Sequence, residues 1–218
     1  MTPTGTPQKR GAELRRHILV TAKNVFLETG YERASMDAVA ARAGTSKRSL
    51  YAHFANKETL LTAVLDLVRE LYLDRLGVPG DYADEPAEAV TLFCARFQQL
   101  MVWESQVRTA RLVISVAERL PGSSDAYYTA VFGSAQDRLA AYLGECWELA
   151  DAVALAEDLL GRTVLPRVFR ALLGTDAPVD RAPEPGALAE DVDLDTIRRQ
   201  VTAALPLGAT GSAGEPRA

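Results

Sequence analysis

Apolar residues recur along most of the chain at three- and four-residue spacing, the period that lines one face of an α-helix. The first stripe is Leu14, Ile18, Ala22, Val25 and Phe26, with Gly30 placed to close it. Ser35 can cap a short helix carrying Met36, Val39, Ala40 and Ala43, which Gly44 ends. Thr45 or Ser46 can cap the next short helix, which runs through Leu50 to about Phe54. Asn56 caps a long helix whose broad apolar face holds Leu60, Leu61, Val64, Leu65, Val68, Leu71 and Tyr72. Glu58 in its first turn suits the positive end of a helix.

Residues 77–85 are glycine-, proline- and acid-rich and form a break, after which Pro86 opens a new helix. That helix carries Phe93, Phe97, Leu100 and Met101, with Trp103 at its end. Further helices are predicted over 105–120, stopped by Pro121-Gly122, and over 123–149. Another, capped by Asp151, runs to 173 with Pro166 as an internal kink, and a last one covers 188–205 after a loop at 174–186. No stretch reads as a strand. The fold class is therefore all-α: an N-terminal three-helix unit over 12–57 and a helical body over 58–205. Residues 1–11 read as a flexible arm and 206–218 as a disordered tail.

The two short helices flanking Gly44 have a definite geometry. Glycine permits a left-handed backbone and a sharp change of direction, as a helix-turn-helix requires. The second helix opens with small and basic residues, Ser46, Lys47, Arg48 and Ser49, while Leu50 and Phe54 face inward. In such a motif the N-terminal part of the second helix enters the major groove of DNA. Charge agrees. Residues 1–57 carry ten Lys or Arg against four Asp or Glu, a surplus of six; with a net charge of −5 overall, the rest of the chain stands at −11. A basic quarter on an acidic body suits a polyanionic partner for one part only.

This segment closely resembles the TetR family of transcriptional regulators. The matching pieces are Phe26 and Gly30-Tyr31, Val39-Ala40 before the glycine turn, then Leu50-Tyr51, Phe54, Lys57-Glu58 and Leu60-Leu61, together spanning about residues 12–65. Residues 113–121 through Tyr127-Tyr128 look like the AefR-type C-terminal branch. The resemblance implies a homodimeric regulator, most simply a repressor, of double-stranded operator DNA. It puts Ser46, Lys47 and Arg48 at base-contacting positions. It puts Ser35, Ser49, Tyr51, His53 and Lys57 near phosphates. Tyr51 also reads as a packing residue and His53 as a solvated one. The family often has a small residue where this chain has Arg48, which leaves the operator sequence open.

For the body the resemblance implies a small-molecule effector site and a dimer interface. Candidate ligand residues are Phe93, Phe97, Met101, Trp103, Arg111, Tyr127, Tyr128 and Phe132, although each aromatic also reads as plain core. Arg111 is either an anchor for an anionic ligand or the partner of Glu104 or Glu118. The apolar excess over 152–173, with the helix at 188–205, is the expected homodimer surface. A regulator controlled without a small molecule is the other reading.

The remaining features narrow the class. There is no HExxH, GxSxG, P-loop or Rossmann glycine pattern, and the histidines are His17 and His53 alone, so an enzyme is not expected. Cys94 and Cys146 form neither a metal pattern nor a disulfide framework; they read as buried core thiols in a cytoplasmic protein without cofactor. No apolar run reaches the ~18 residues of a membrane span.

Overall fold

The computed structural model describes residues 7–206, less 74, 148, 182, 183, 185–187, 189 and 190; for 7–10 and 73 it describes the backbone only. The expected disordered tail lies outside the described residues, except for Pro206, as do residues 1–6 of the expected arm. The helices are α1 (Pro7–Arg33), α2 (Met36–Arg42), α3 (Lys47–His53), α4 (Lys57–Leu73), α5 (Pro86–Met101), α6 (Glu104–Val116), α7 (Pro121–Tyr128), α8 (Ser134–Trp147), α9 (Ala152–Thr163), α10 (Leu165–Leu173) and α11 (Leu194–Ala204). Among the described residues the sole β pairing is an isolated parallel bridge between Trp103 and Val179.

Local chemistry sets the ends of these helices. The hydroxyls of Ser35 and Ser46 accept from the backbone N–H groups of Ala38 and Ser49, each at 3.1 Å, and so start α2 and α3. Asn56 starts α4: its side-chain oxygen accepts from Thr59 N–H at 2.8 Å, and the Thr59 hydroxyl accepts from Asn56 N–H at 3.1 Å. Gly44 has φ 61°. A Cβ built there meets nothing within 4 Å, so the backbone angle, not crowding, is what calls for glycine in the turn.

Five boundaries differ from the sequence reading. Residues 7–11, expected in the flexible arm, are helical, because Pro7 occupies the first helical position, which proline favours. Pro121 starts α7 for the same reason instead of ending the helix before it. The expected helix over 123–149 is interrupted by a π-helical turn at Thr129–Gly133. The break near Pro166 falls at Val164 (φ −111°, ψ −52°), which leaves the proline in the first turn of α10 where its missing N–H does no harm. The last helix begins only at Leu194, where Asp193 accepts from Thr196 N–H at 3.0 Å.

The chain divides into two compact units. The first combines Met1–Leu71 with Arg111–Tyr127. Its core holds Ile18, Phe26, Val39, Leu50, Leu60 and Leu61, all at most 1% exposed. Residues 111–127 thus join the N-terminal helices, although the sequence places them in the body. The second unit combines Tyr72–Ala110 with Tyr128–Ala218. It is built around α5, on which α8, α9, α10 and α11 all pack. From Ala89 to Met101 α5 is buried at every position but Leu92, as expected of a helix surrounded by others.

Polar side chains on α5 survive burial by hydrogen bonding. Gln98 donates to Thr163 O at 2.6 Å and accepts from the Arg167 guanidinium at 3.0 Å. Arg96, 1% exposed, donates to Arg75 O at 3.2 Å and Gln99 Oε1 at 2.8 Å, and hydrogen-bonds Tyr82. Arg138 donates to Leu76 O and Gly77 O. Two guanidinium groups therefore grip three consecutive carbonyls just beyond the end of α4.

Candidate nucleic-acid interface and apolar cleft

The N-terminal half of α3 stands open. Ser46, Lys47 and Arg48 are exposed and Ser49 is half-buried, while Leu50 is fully buried one step further on. Lys47 Nζ lies 2.6 Å from Asp37 Oδ2, with both side chains more than half exposed. An ion pair this exposed contributes at most about 1 kcal/mol, so Lys47 exchanges Asp37 for another acceptor at little cost. Arg48 forms no ion pair among the described residues. Tyr51 is 50% exposed, His53 is half-buried and Ser35 is exposed at the start of α2.

Lys57 is placed differently. Its ammonium is turned onto the end of α1, donating to Tyr31 O at 2.7 Å, Ala34 O at 3.1 Å and Glu32 O at 3.4 Å, and it lies 4.3 Å from the centre of the Tyr31 ring. Three carbonyls absorb its three N–H groups, so this side chain ties the start of α4 to the end of α1. The sequence reading also missed three ties that hold the reader together. His17 Nε2 lies 3.2 Å from Ala43 O beside the glycine turn. Arg42 pairs with Glu28 and joins α2 to α1. The Arg15 guanidinium sits 5.2 Å from the centre of the Phe54 ring.

The second unit carries an open apolar cleft of about 480 Å³. Met101, Ala110, Tyr128 and Phe132 form one part of its lining. Gly161, Leu165, Pro166, Val168, Phe169 and Leu172 from α9 and α10 form the rest. Among the described residues no charged side chain lines it, and the one side-chain polar group is the Tyr128 hydroxyl. Of the ligand candidates from sequence, Met101, Tyr128 and Phe132 meet here.

The others are elsewhere. Phe97 is buried one layer behind, its ring edge-on to Phe132 at 5.5 Å. Phe93 packs against Tyr82. Trp103 lies beneath the Arg75 guanidinium, 5.6 Å away, beside its bridge to Val179. Arg111 is exposed and belongs with Tyr127 to the first unit; Glu104 pairs with Arg108 at 2.6 Å. The contribution of α9 and α10 is not legible in the sequence, where their apolar surplus reads as a dimer surface or as intrachain core.

Ring contacts continue inward from the cleft. Tyr128 stacks on Phe132 at 5.8 Å, Phe132 meets Phe97, and Phe97 meets Tyr72 edge-on at 6.0 Å. Phe132 sits in the π-helical turn, and Tyr72 in the last turn of α4. Exposed apolar side chains cluster on α9 and α10, with Val153 at 53%, Leu165 at 46%, Phe169 at 63% and Leu173 at 65%. On α11 the corresponding positions, Ile197 and Val201, are buried within the chain.

Burial pushes the Cys94 thiol up to about 12, partly offset by a hydrogen bond with Thr163, so it is an inert core group. Cys146 is half-buried, less enclosed than the sequence suggested.

A glycine-turned helix pair whose second helix presents serine, lysine and arginine to solvent defines a helix-turn-helix DNA-binding regulator. Residues 18–64 match the family described as bacterial regulatory proteins of the tetR family, and residues 88–194 match the AefR-like transcriptional repressor C-terminal domain. The chain belongs to the TetR family. Over 53 residues, 24% of each chain, it is 49% identical to the HTH-type transcriptional activator FasR of Mycolicibacterium smegmatis. Over 104 residues, 48% of each, it is 31% identical to the HTH-type transcriptional regulator TtgR of Pseudomonas putida. These matches span from about a quarter to about half the length of the curated relatives.

Whole-chain similarity is structural. A TetR-family regulator from Mesorhizobium loti superposes with a TM-score of 0.73 at 23% identity, over 89% of this chain and 94% of that one. The flavonoid-responsive regulator FrrA gives 0.68 at 25%, over 88% and 93%. No helix of the described residues is long and apolar enough to cross a membrane.

Proposed function

We propose that this DNA-binding regulator is a homodimeric repressor that releases a palindromic operator when an apolar or aromatic small molecule enters the cleft of its second unit. The observation that carries this reading is the cleft itself. It falls in the usual size range of ligand sites, roughly 300–1,000 Å³, and its ring neighbours lead to the last turn of α4. Helix α4 begins only three residues after the recognition helix ends. A molecule that displaces Phe132 displaces Phe97 and Tyr72, and hence shifts α4 and α3. One structural relative, FrrA, is a flavonoid-responsive regulator, which is consistent with an aromatic effector.

In this reading Ser46, Lys47 and Arg48 contact base edges, and Ser35, Ser49, Tyr51, His53 and the start of α4 at Lys57 face phosphates. The exposed apolar residues of α9 and α10 outside the cleft lining, Val153 and Leu173, serve the dimer, aided by the end of α11. A twofold dimer sets two recognition helices about 34–36 Å apart, which a single seven-residue α3 needs in order to read a long site.

The test is selection of a random duplex pool by the full chain, with and without apolar aromatic compounds. The expected result is an enriched inverted repeat whose recovery falls when an effector is added. Binding that only follows salt, with no enriched sequence, would sink the operator reading. Enrichment that no compound alters would favour a regulator controlled without a small molecule.

A further inference from the structure

We propose that Gly161 sets the size of the cleft, and that the molecule it admits is uncharged and apolar, with a flat or extended body. The proposal rests on reading the cleft as the effector site. Gly161 lies in the last turn of α9, inside the nearly continuous helical run 152–173. A glycine weakens a helix relative to alanine, so its presence calls for a reason.

The usual reasons are absent. The positive-φ glycines of the described residues are Gly30, Gly44 and Gly174, and Gly161 is not one of them. A Cβ built at Gly161 meets nothing within 4 Å, so no close approach within this chain forbids a side chain. What the glycine provides is open space, and that space is in the cleft wall, with small Ala110 also on the lining. Filling it would shorten the cleft without disturbing its neighbours.

The chemistry of the lining names the class of molecule. With no cation or anion among the lining residues, a charged ligand would lose its hydration and gain no counter-charge. The Tyr128 hydroxyl can donate one hydrogen bond and accept another. Tyr128, Phe132 and Phe169 offer ring faces and edges to a flat apolar body.

A second copy of this chain is the rival use of the same space, because Phe169 and Leu173 are exposed and a glycine can let helices approach closely. Titration of the full-length chain with N-phenyl-1-naphthylamine, an uncharged apolar fluorophore, separates the two. Wild type, Gly161→Ala and Gly161→Leu are compared, with thermal melts and sedimentation equilibrium on each. The wild type is expected to bind saturably. Gly161→Leu is expected to bind at least about tenfold more weakly, the discrimination a methylene or two commands in an apolar pocket, with Gly161→Ala between. Both variants should melt no lower than wild type and keep its oligomeric state.

Equal affinity in all three proteins overturns the proposal while leaving the effector site standing. A lower melting temperature in Gly161→Ala overturns it as well, because the space would then not be open. A shift in oligomeric state in Gly161→Leu assigns the glycine to packing between chains. Absence of saturable binding by the wild type removes the effector-site reading and the proposal with it.

Discussion

The rings of Phe97 and Phe132 meet nearly perpendicular, at 81° with centroids 5.5 Å apart. One ring is fully buried on α5, and the other lies on the lining of the cleft. Since Phe97 also meets Tyr72 of α4, it is the shared member of both contacts. Edge-to-face pairs are worth roughly 0.5–1.5 kcal/mol each beyond burial, so Phe97→Leu is expected to lower Tm yet leave a folded protein. Its affinity for the selected duplex should stay near that of wild type when no effector is present. The effector-linked drop, about 5–150-fold for ordinary couplings, should shrink toward none. Duplex titrations with and without effector check this; an unchanged drop would show that the signal takes another route.

Arg48 tests the division between base and phosphate contacts. If it pairs with a base edge, Arg48→Ala loses about 1–3 kcal/mol of discrimination at one position of each half-site. The selected sequence should become degenerate at that position. Uniform weakening across all sequences, with a smaller salt slope, would instead mark a phosphate contact.

Lys57 carries the opposite expectation. Its ammonium is occupied by the carbonyls of Tyr31, Glu32 and Ala34. Lys57→Met should lower stability by about 1.5–3 kcal/mol, the usual range for hydrogen bonds to a charged group. Thermal melts measure that loss. The slope of log affinity against log salt should hardly change, whereas a lost phosphate contact would reduce it by about 0.9.

Acid should weaken the packing of α11. Glu88 on α5 pairs with Arg198 on α11 at 2.8 Å, and the hydrogen bond from Arg198 holds its carboxyl below the ordinary value of 4.5. The stabilisation is therefore complete above 4.5 and is lost as pH falls from there through the lower folded-state value. The pair is partly exposed and screened by solvent, so the effect is small. Melting temperatures of wild type and Glu88→Gln should differ at neutral pH and converge in acid. A constant difference down to the lowest pH would remove the pair from the stability of the fold.

The DNA-reading segment was legible because its signals are local. Ser35, Gly44, Ser46 and Asn56 act on backbone within a few residues of themselves, so caps and turn appear where the sequence puts them. The cleft was harder to see, because its walls come from residues more than fifty positions apart. Met101 and Phe132 stand out on their own helices, but Gly161 and Phe169 join them only through tertiary packing. Lys57 has the same limit: a lysine beside the second short helix suggests phosphate, and only folding brings the end of α1 beneath it. Composition and period carry no sign of the grip of Arg96 and Arg138 on the carbonyls of 75–77 either, since it depends on where two guanidinium groups come to rest.

Residues 111–127 cluster with the N-terminal helices and not with the sequence around them. Arg119, in the loop between α6 and α7, pairs there with Glu32 at the end of α1. Modular engineering must respect that arrangement. A chimera that grafts only residues 1–71 onto a foreign sensing body would strip the reader of part of its own fold, and would leave Val113 and Val116, both nearly fully buried here, behind in the donor. Exchange of specificity between relatives therefore calls for three coordinated crossovers within the gene, so that the reader travels as a discontinuous module.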